Sequence, residues 1–302
     1  MTRSRDLLLT ALAPAIWGST YIVTTEALPD GYPLTLAVLR ALPAGLLLVA
    51  LTRSLPPRRW LGRIFLLGGF NFAVFWSLLF VAAYRLPGGV AATLGAMQPL
   101  MVLGLARAAL GTGVRPVAVL AAGAGVLGVA LLVLGPSAAL DPVGIAAGLG
   151  GALSMAVGTV FSRKWQPPVS ALTFTGWQLS AGGLLLLPAA LLAEPALPPL
   201  EAGHIAGLTW LGLIGAALTY WLWFRGVARI EPAAVSMLGL MSPVTAVVLG
   251  WIWLGQSLSP LQTIGAGVVL ASVWLGQVVA RGPSPGSHAK PHTKDQELAN
   301  SV

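Results

Sequence analysis

The sequence predicts an all-α integral membrane protein with ten transmembrane helices in two inverted five-helix repeats. Three observations support this fold class. The chain has 302 residues, of which 56% are hydrophobic and only 9% are charged, whereas soluble domains carry roughly 25% charged residues. Ten apolar runs of about 20 residues are each long enough to cross the ~30 Å hydrocarbon core as a helix. The third observation is a motif that occurs once in each half of the chain.

The repeated motif reads Leu-Gly-x-Met-x-Pro and spans residues 94–99 and 238–243. A proline lacks the N–H that a helix requires, so the carbonyl four residues earlier, on Gly95 or Gly239, loses its helical partner. The two glycines also leave room for another helix or a ligand. Paired interruptions at matching positions are typical of a transporter's binding site, whereas the alternative is that both prolines only kink helices for packing. The predicted hinge residues are Gly95, Pro99, Gly239 and Pro243.

The ten predicted helices follow one another along the chain with short connections. They cover approximately residues 7–27, 33–52, 62–83, 88–108, 116–134, 143–162, 170–192, 203–224, 233–253 and 260–280. A cleaved signal peptide is the alternative for the first run, but cleavage at 11–13 would leave a hydrophobic core too short for a signal. The predicted repeats are residues 1–135 and 136–281. Residues 282–302 are polar and rich in Pro, Gly and Ser, which predicts a disordered cytoplasmic tail.

Basic residues fall on alternate connections, which the positive-inside rule assigns to the cytoplasm. They lie before helix 1 and after helices 2, 4, 6, 8 and 10, and they include all 17 Lys and Arg residues except Arg40 and Arg85. The opposite connections carry mainly Asp and Glu. Both termini are therefore predicted to be cytoplasmic. Because five is an odd number, the second repeat enters from the opposite side, and Arg85 and its repeat partner Arg229 are expected on opposite faces.

Helices 5 and 10 are rich in Ala, Val, Leu and Gly and carry a Gly-Ala-Gly triplet at 123–125 and a second at 265–267. Small residues of this kind let helices approach closely in lipid. We expect these two helices to pack at the periphery rather than to bind substrate.

Composition also excludes several classes of function. The chain has no cysteine, and its three histidines lie at a helix edge or in the tail, so we predict no disulfide, no metal site and no cofactor. The net charge of +8 follows the predicted topology rather than indicating nucleic-acid binding. An intramembrane enzyme is disfavoured because the sequence lacks a His-Glu-x-x-His motif and a pair of carboxylates at membrane depth. The expected partners are a small-molecule substrate and the bilayer, with a monomer expected and a dimer as the alternative.

Arg40 is the one charge well inside a predicted helix, roughly 10 Å from the outer edge at ~1.5 Å per residue. One interpretation is that it orients a substrate carboxylate or closes an outer gate, paired with Glu26. The other is that it is a structural arginine bonded to helix carbonyls near Pro43. Ionisable residues within membranes favour a functional role, but the second repeat matches Arg40 only with the neutral Gln178.

Aromatic residues cluster on helices 1, 3, 7 and 8, often four positions apart and therefore on one helix face. Packing or an interfacial aromatic belt is the plain interpretation. An aromatic pocket with a few amide and hydroxyl groups would instead suit small amphiphilic solutes. The predicted substrate-binding residues are Trp17, Tyr21, Arg40, Phe72, Trp76, Gln98, Trp177, Gln178, Tyr220, Phe224 and Ser242.

The sequence resembles the EamA branch of the drug/metabolite transporter superfamily in three features. They are the ten helices in two inverted halves, the stretch Ala-Ile-Trp-Gly-Ser at 15–19, and the Leu-Gly…Pro element of helices 4 and 9. The resemblance covers nearly all of residues 1–281 and extends to the YddG-type amino-acid exporters. It implies export of small metabolites through a central cavity lined by helices 1–4 and 6–9. Many members carry an acidic residue where this chain has Thr112 and Gln256, so a role for that carboxylate has no counterpart here.

The sequence therefore predicts an exporter of amino acids or related small metabolites in a bacterial inner membrane, working by alternating access. The middle third of each predicted helix lacks Asp and Glu. Because proton-coupled carriers use ionisable residues at membrane depth, we expect transport down the solute's own gradient. An alternative substrate class is quaternary ammonium compounds, held by the aromatic residues through cation–π contacts.

Overall fold

The computed structural model describes residues 3–86, 88–133, 141–255 and 259–280, and within these ranges the chain is helical without strands. The helices are α1 (Arg3–Ala27), α2 (Pro33–Thr52), α3 (58–85), α4 (88–110), α5 (Pro116–Val133), α6 (Pro142–Lys164), α7 (Ala171–Ala193), α8 (Ala202–Arg229), α9 (Pro232–Trp253) and α10 (Pro260–Val279). In the described part of the chain, α2 to α10 are long and apolar enough to cross a membrane. The 25-residue α1 precedes them. The protein is an all-α integral membrane protein, as the sequence predicts; the predicted tail lies outside the described residues.

Helix ends follow local sequence signals. Asp141 caps α6 by accepting a hydrogen bond from the Gly144 N–H at 2.7 Å, and Ser170 caps α7 through the Thr173 N–H. Such side chains satisfy N–H groups that have no partner within the first turn. Gly111 ends α4 with a φ of +69°, the left-handed conformation that glycine adopts at low cost. These signals place the helix ends within a few residues of the predicted boundaries.

The two halves pack with the same pattern of neighbours. α2 packs on α7 and α5 packs on α10, each helix on its own repeat partner. In the remaining pairs, α6 is the repeat counterpart of α1. α3 and α4 both pack on α6, and their counterparts α8 and α9 both pack on α1. Exchanging the two repeats leaves this set of contacts unchanged. The second half is therefore related to the first by a pseudo-two-fold axis.

Close helix pairs lie on this axis. A Cβ on Gly45 of α2 would collide with Ser180 of α7, and a Cβ on Gly183 of α7 would collide with Leu42 of α2. Gly45 and Gly183 are equivalent positions, since each lies five residues after the matched pair Arg40 and Gln178. The absence of side chains lets these helices approach closely without a hydrophobic driving force from water.

α5 and α10 pack in the same way at the edge of the bundle. Gly128 has no room for a Cβ against Val269, and Gly265 has none against Leu132. Their outer faces carry exposed side chains such as Leu120, at 70%, and Trp274, at 66%. Apolar faces of this extent suit lipid rather than water, which agrees with the peripheral position expected from the sequence.

Four helices are interrupted, in two matched pairs. α4 is broken between Gly88–Gly95 and Gln98–Leu110, and α9 between Pro232–Leu238 and Met241–Trp253. These breaks fall at the repeated motif. α3 contains a π-helical segment at Gly69–Ala73 and α8 one at Trp210–Leu218. The first π segment, shifted by the 144-residue repeat (243 − 99), falls inside the second, and the sequence patterns do not predict either.

The bundle has two ends of different charge. At the basic end, α1 begins and α6 and α8 end, as contacts of Asp6 with Arg225 and of Arg163 with the Ala228 carbonyl show. At the acidic end, α3 ends near the start of α6, where Arg85 lies 3.6 Å from Asp141. α1 and α6 therefore run in opposite directions. Arg85 and Arg229 lie at opposite ends, as the inverted repeat requires.

Candidate functional site

Five predicted site residues meet in the centre of the bundle and form what we name the central aromatic cluster: Trp17, Phe72, Trp76, Tyr220 and Phe224. Tyr220 is its hub, with ring centroids 4.6 Å from Phe72, 4.8 Å from Trp17 and 6.0 Å from Phe224. The rings meet tilted or edge to face, which is the favourable arrangement of aromatic quadrupoles. The Tyr21 side chain, also predicted for this site, lies outside the described residues. The cluster combines side chains from α1, α3 and α8.

Arg40 of α2 reaches this cluster. Its guanidinium carbon lies 5.1 Å from the ring centroid of Trp76, a cation–π distance. Its Nη2 donates a hydrogen bond of 2.8 Å to the Gly215 carbonyl, in the π segment of α8. The Arg40 Nε has no hydrogen-bond partner among the described residues. Glu26 does not pair with Arg40 in the described ion pairs, and the bonded carbonyl belongs to α8 rather than to the region of Pro43.

The Gly215 carbonyl also connects Arg40 to α1. It accepts a second hydrogen bond of 2.8 Å from the Thr219 hydroxyl, which in turn accepts one of 2.9 Å from the Trp17 indole N–H. π-helical segments shift the backbone hydrogen-bond pattern and occur often at functional sites. Here the segment presents one carbonyl to both Thr219 and Arg40. A continuous chain of hydrogen bonds therefore runs from α1 through α8 to the guanidinium of α2.

Gln178 occupies the equivalent position in the other half. The Asn71 Nδ2, in the π segment of α3, donates 2.8 Å to Gln178 Oε1 and 3.1 Å to Ser162 Oγ. Asn71 is the repeat partner of Gly215, so both π segments bond to the matching residue of the facing helix. All three side chains are fully buried, and a Cβ on Gly158 would collide with Asn71. This network is enclosed by protein, whereas Arg40 is partly exposed.

Trp177 lies apart from the central aromatic cluster. It packs in a separate buried group with Trp60 and Ile64 of α3. Its indole N–H donates 2.7 Å to the Ser54 carbonyl, in the connection between α2 and α3. Trp177 precedes Gln178 in the sequence, and neighbouring residues on a helix point in different directions. The structure thus places Gln178 in the buried polar network and Trp177 against α3, near the basic end.

The two motif interruptions meet each other. A Cβ on Gly239 would lie 3.7 Å from the Gln98 Oε1, and the two broken helices contact there. The Gly239 carbonyl accepts a 3.1 Å hydrogen bond from the Ser242 N–H, so the expected free carbonyl is satisfied by a shorter turn. A Cβ on Gly95 would meet nothing within 4 Å. The expected close approach at Gly95 is therefore not made in this conformation.

Two cavities adjoin these elements. One of about 20 Å³ lies beside Pro99, between α4, α5, α9 and α10. The other, of about 570 Å³, lies at the basic end between the start of α7 and the end of α8 and has Phe224 in its wall. The other four members of the central aromatic cluster pack against each other and do not line either of these two cavities.

The described carboxylates all lie at or near helix ends. Glu194, for example, follows α7 and accepts hydrogen bonds from the N–H groups of Leu34 and Thr35 at 2.6 and 2.7 Å. Within the described residues, His, Asp and Glu do not form a group of three or more that could hold a metal ion. The chemistry at membrane depth is thus supplied by one guanidinium, several amides and hydroxyls, and aromatic rings.

A bundle of apolar helices in two symmetric halves, with matched interruptions that contact each other, is the architecture of a membrane transporter. The chain belongs to the EamA-like transporter family, whose model matches residues 5–134 and again residues 142–276. This confirms the predicted membership of the drug/metabolite transporter superfamily.

Relatives and a solved structure extend this result. The chain is 45% identical to Protein PecM of Dickeya dadantii, over 84% of this chain and 86% of PecM. It is 31% identical to the uncharacterized inner membrane transporter YedA of Escherichia coli K12, over 84% of each. A crystal structure whose description names no function superimposes with a TM-score of 0.79 at 20% identity, covering 93% of this chain and 100% of its own. That last likeness shows the fold alone.

Sequence reasoning missed the residues whose role depends on hydrogen bonds or ion pairs with residues distant in the sequence. Thr219, Gly215 and Ser162 complete the two hydrogen-bond networks, and Asp6 and Arg225 join α1 to α8. Their partners are distant in sequence, and short motifs carry no signal for them. The repeat aligns Arg40 with Gln178. This alignment was the one sequence signal that both side chains would contact a neighbouring helix.

Proposed function

We propose that the protein exports amino acids or closely related small metabolites across a bacterial inner membrane by alternating access. The observation that carries this proposal is the position of Arg40. It is a cation at membrane depth, and its guanidinium lies over the ring of Trp76 in the central aromatic cluster. Guanidinium groups bind carboxylates through charge-assisted hydrogen bonds, and their fork geometry adds specificity. Aromatic rings would hold the apolar part of the same solute.

The same geometry favours carboxylates over quaternary ammonium compounds. The face of Trp76 is already covered by the Arg40 guanidinium at 5.1 Å. A cationic solute at the cluster would meet a like charge, which is costly in a medium of low polarity. An amino acid brings a carboxylate that Arg40 can bind.

Transport is proposed to run down the solute's own gradient. The described Asp and Glu residues lie near helix ends, so the central aromatic cluster contains no acid that would take up and release a proton. Proton relays at membrane depth depend on such groups. The outward direction of transport is inferred from the resemblance to amino-acid exporters and from no geometric feature.

The hinge role proposed for Gly95, Pro99, Gly239 and Pro243 rests on the matched breaks in α4 and α9. Both helices are interrupted where they contact each other, and a small cavity lies beside Pro99. Hinges are few residues at element ends that absorb a change in backbone angles. Bending at both breaks would open one end of the bundle while closing the other.

The basic end is proposed to face the cytoplasm. Basic residues flank α1 at its start and α6 and α8 at their ends, and such residues are retained on the cytoplasmic side. The name of the relative YedA, an inner membrane transporter, supports an inner-membrane location. A monomer contains both repeats and a complete central site, so a monomer is proposed as the functional unit.

The test is efflux from proteoliposomes preloaded with labelled amino acids, measured with and without a pH gradient. Efflux of a subset of amino acids, equal in both conditions, is the expected result. Stoichiometric proton movement would contradict the proposed energetics. If folded protein releases no amino acid but releases tetraalkylammonium, the substrate class is wrong and the quaternary ammonium alternative replaces it.

A further inference from the structure

The cavity of about 570 Å³ at the basic end has a chemistry of its own. One part of its wall is polar and basic, with Gln166, Arg225 and Arg229, and another is aromatic, with Trp221 and Phe224. Phe224 also belongs to the central aromatic cluster. The inner end of the cavity therefore adjoins the proposed transport site, while its outer end lies among charged groups of α8.

A carboxylate of α1, outside the cavity wall, already contacts the two lining arginines. Asp6 Oδ1 is 2.5 Å from Arg225 Nη2 and 3.3 Å from Arg229 Nη1. The side chains of Arg225 and Asp6 are only 10% and 13% exposed, whereas Arg229 is 45% exposed. Both lining arginines carry a positive charge, and the other residues that line the cavity are neutral. A cleft lined by one sign of charge raises the local concentration of oppositely charged solutes.

Asp6 and its partners belong to different helices. Asp6 is in the first turn of α1, and both arginines are in the last turns of α8. The helices touch closely here because Gly226 has no side chain; a Cβ there would collide with Thr10 of α1. A solute carboxylate that takes Arg225 Nη2 and Arg229 Nη1 from Asp6 therefore removes the ionic link between α1 and α8.

The opposite end of the bundle lacks this arrangement. There the equivalent arginine, Arg85, lies 3.6 Å from Asp141, with side chains 50% and 35% exposed. The repeat partner of Arg225 is Val81, at the same 144-residue offset (225 − 81). The paired guanidinium site is therefore a feature of the basic end and not a consequence of the fold's symmetry.

We infer that this cavity is a second binding site, which takes a small solute with one carboxylate and an apolar or aromatic body, and that the solute competes with Asp6 for Arg225 and Arg229. The inference rests on the proposed function, because it identifies where the exported carboxylate first binds on the cytoplasmic side. Binding there and release of α1 from α8 are then one event. The solute's apolar part would lie along Trp221 and Phe224, on the path to the central aromatic cluster.

The test is equilibrium binding of phenylacetate to the purified full chain, with the neutral isostere phenylacetamide as the comparison probe. Asp6→Asn removes the competing carboxylate, so we expect phenylacetate to bind about tenfold more tightly, which corresponds to ~1.4 kcal/mol. Arg229→Gln should weaken binding by a similar factor. Arg63→Gln, which removes an arginine that is stacked on Trp60 and does not line the cavity, is the control and should leave affinity unchanged.

The outcomes separate this inference from the proposed function. Unchanged or weaker phenylacetate binding in Asp6→Asn, or equal binding of phenylacetamide, would overturn the competition. Binding that depends on Arg40 instead of Arg229 would move the anion to the central cluster and overturn the second site, while the proposed function stands. Amino-acid efflux without phenylacetate binding overturns only the inference; phenylacetate binding without amino-acid efflux overturns only the proposed function. If Asp6→Asn does not fold, the Arg229→Gln comparison carries the test.

Discussion

Two sites related by the pseudo-two-fold axis share one backbone frame and differ in chemistry. In one, Arg40 of α2 bonds to Gly215 in the π segment of α8; in the other, Gln178 of α7 bonds to Asn71 in the π segment of α3. The Gln178 site is fully enclosed and neutral, whereas the Arg40 site is charged, partly exposed and next to aromatic rings. The same backbone arrangement therefore makes a structural contact at the Gln178 site and a candidate substrate contact at the Arg40 site.

The largest expected effect comes from neutralising the charged site. Arg40→Gln makes the two sites chemically alike, and it should lower amino-acid efflux about 10- to 100-fold, since a hydrogen bond to a charged group contributes roughly 1.5–3 kcal/mol. The yield of folded protein should hardly change, because glutamine is the residue at the equivalent position of the other repeat, Gln178. Efflux per folded molecule in proteoliposomes measures this. Arg63→Gln, a second arginine over a Trp ring, should retain normal efflux; equal losses in both variants would refute a specific role for Arg40.

Disrupting the enclosed site should affect stability rather than transport. Gln178→Leu removes the acceptor shared by Asn71 Nδ2 and Ser162 Oγ. Asn71 Nδ2 keeps its bond to Ser162 Oγ, but the buried Ser162 hydroxyl loses its acceptor, and an unsatisfied buried group costs about 1–3 kcal/mol. Denaturant unfolding in detergent measures the loss. A double-mutant cycle with Asn71→Ala and Gln178→Ala should show coupling of about 0.5–3 kcal/mol. Additive single effects would show that the two amides do not stabilise each other.

A smaller effect is expected at the break of α9. Pro243→Ala restores a backbone N–H and favours a straighter helix, which opposes bending. We expect transport to slow about fivefold, or ~1 kcal/mol on the barrier, with little loss of folded protein. The matched change Pro99→Ala tests whether the break in α4 contributes equally. Unchanged flux in both variants would contradict the hinge role.

The smallest effect is expected at the acidic end. Arg85→Gln removes an ion pair of 3.6 Å between side chains that are 50% and 35% exposed, and exposed pairs typically contribute only about 0–1 kcal/mol. Efflux and thermal stability should both remain close to those of the unmodified protein. A large loss of efflux would show that this pair controls opening at the acidic end.

Much of the fold could be predicted because its signals are local. Apolar runs mark the helices, and prolines such as Pro99 and Pro243 fall in register between the halves. Spacing by four placed Phe72 and Trp76 on one face of α3, which the structure confirms as part of the central aromatic cluster. The same local logic could not tell that Trp177 turns toward Trp60 instead of the centre. The rotation of a helix about its axis depends on its neighbours.

The π segments and the long-range pairs lay beyond sequence reasoning for a similar reason. A segment such as Gly69–Ala73 carries no local sequence signal for a π-helix, and it packs against α6 and α7. Asp6 and Arg225 are separated by more than two hundred residues. Their contact depends on α1 and α8 lying side by side, which only the assembled bundle determines.

The most direct test of the account is the selectivity of efflux for a carboxylate. The amino acid that gives the fastest efflux would be compared with its own amide, which lacks the carboxylate, in proteoliposomes containing the unmodified protein or Arg40→Gln. The account predicts strong preference for the amino acid in the unmodified protein and a ratio near one in the variant, since the guanidinium is the group that distinguishes the two solutes. A preference that survives unchanged in Arg40→Gln would contradict the assignment of Arg40 to the substrate carboxylate.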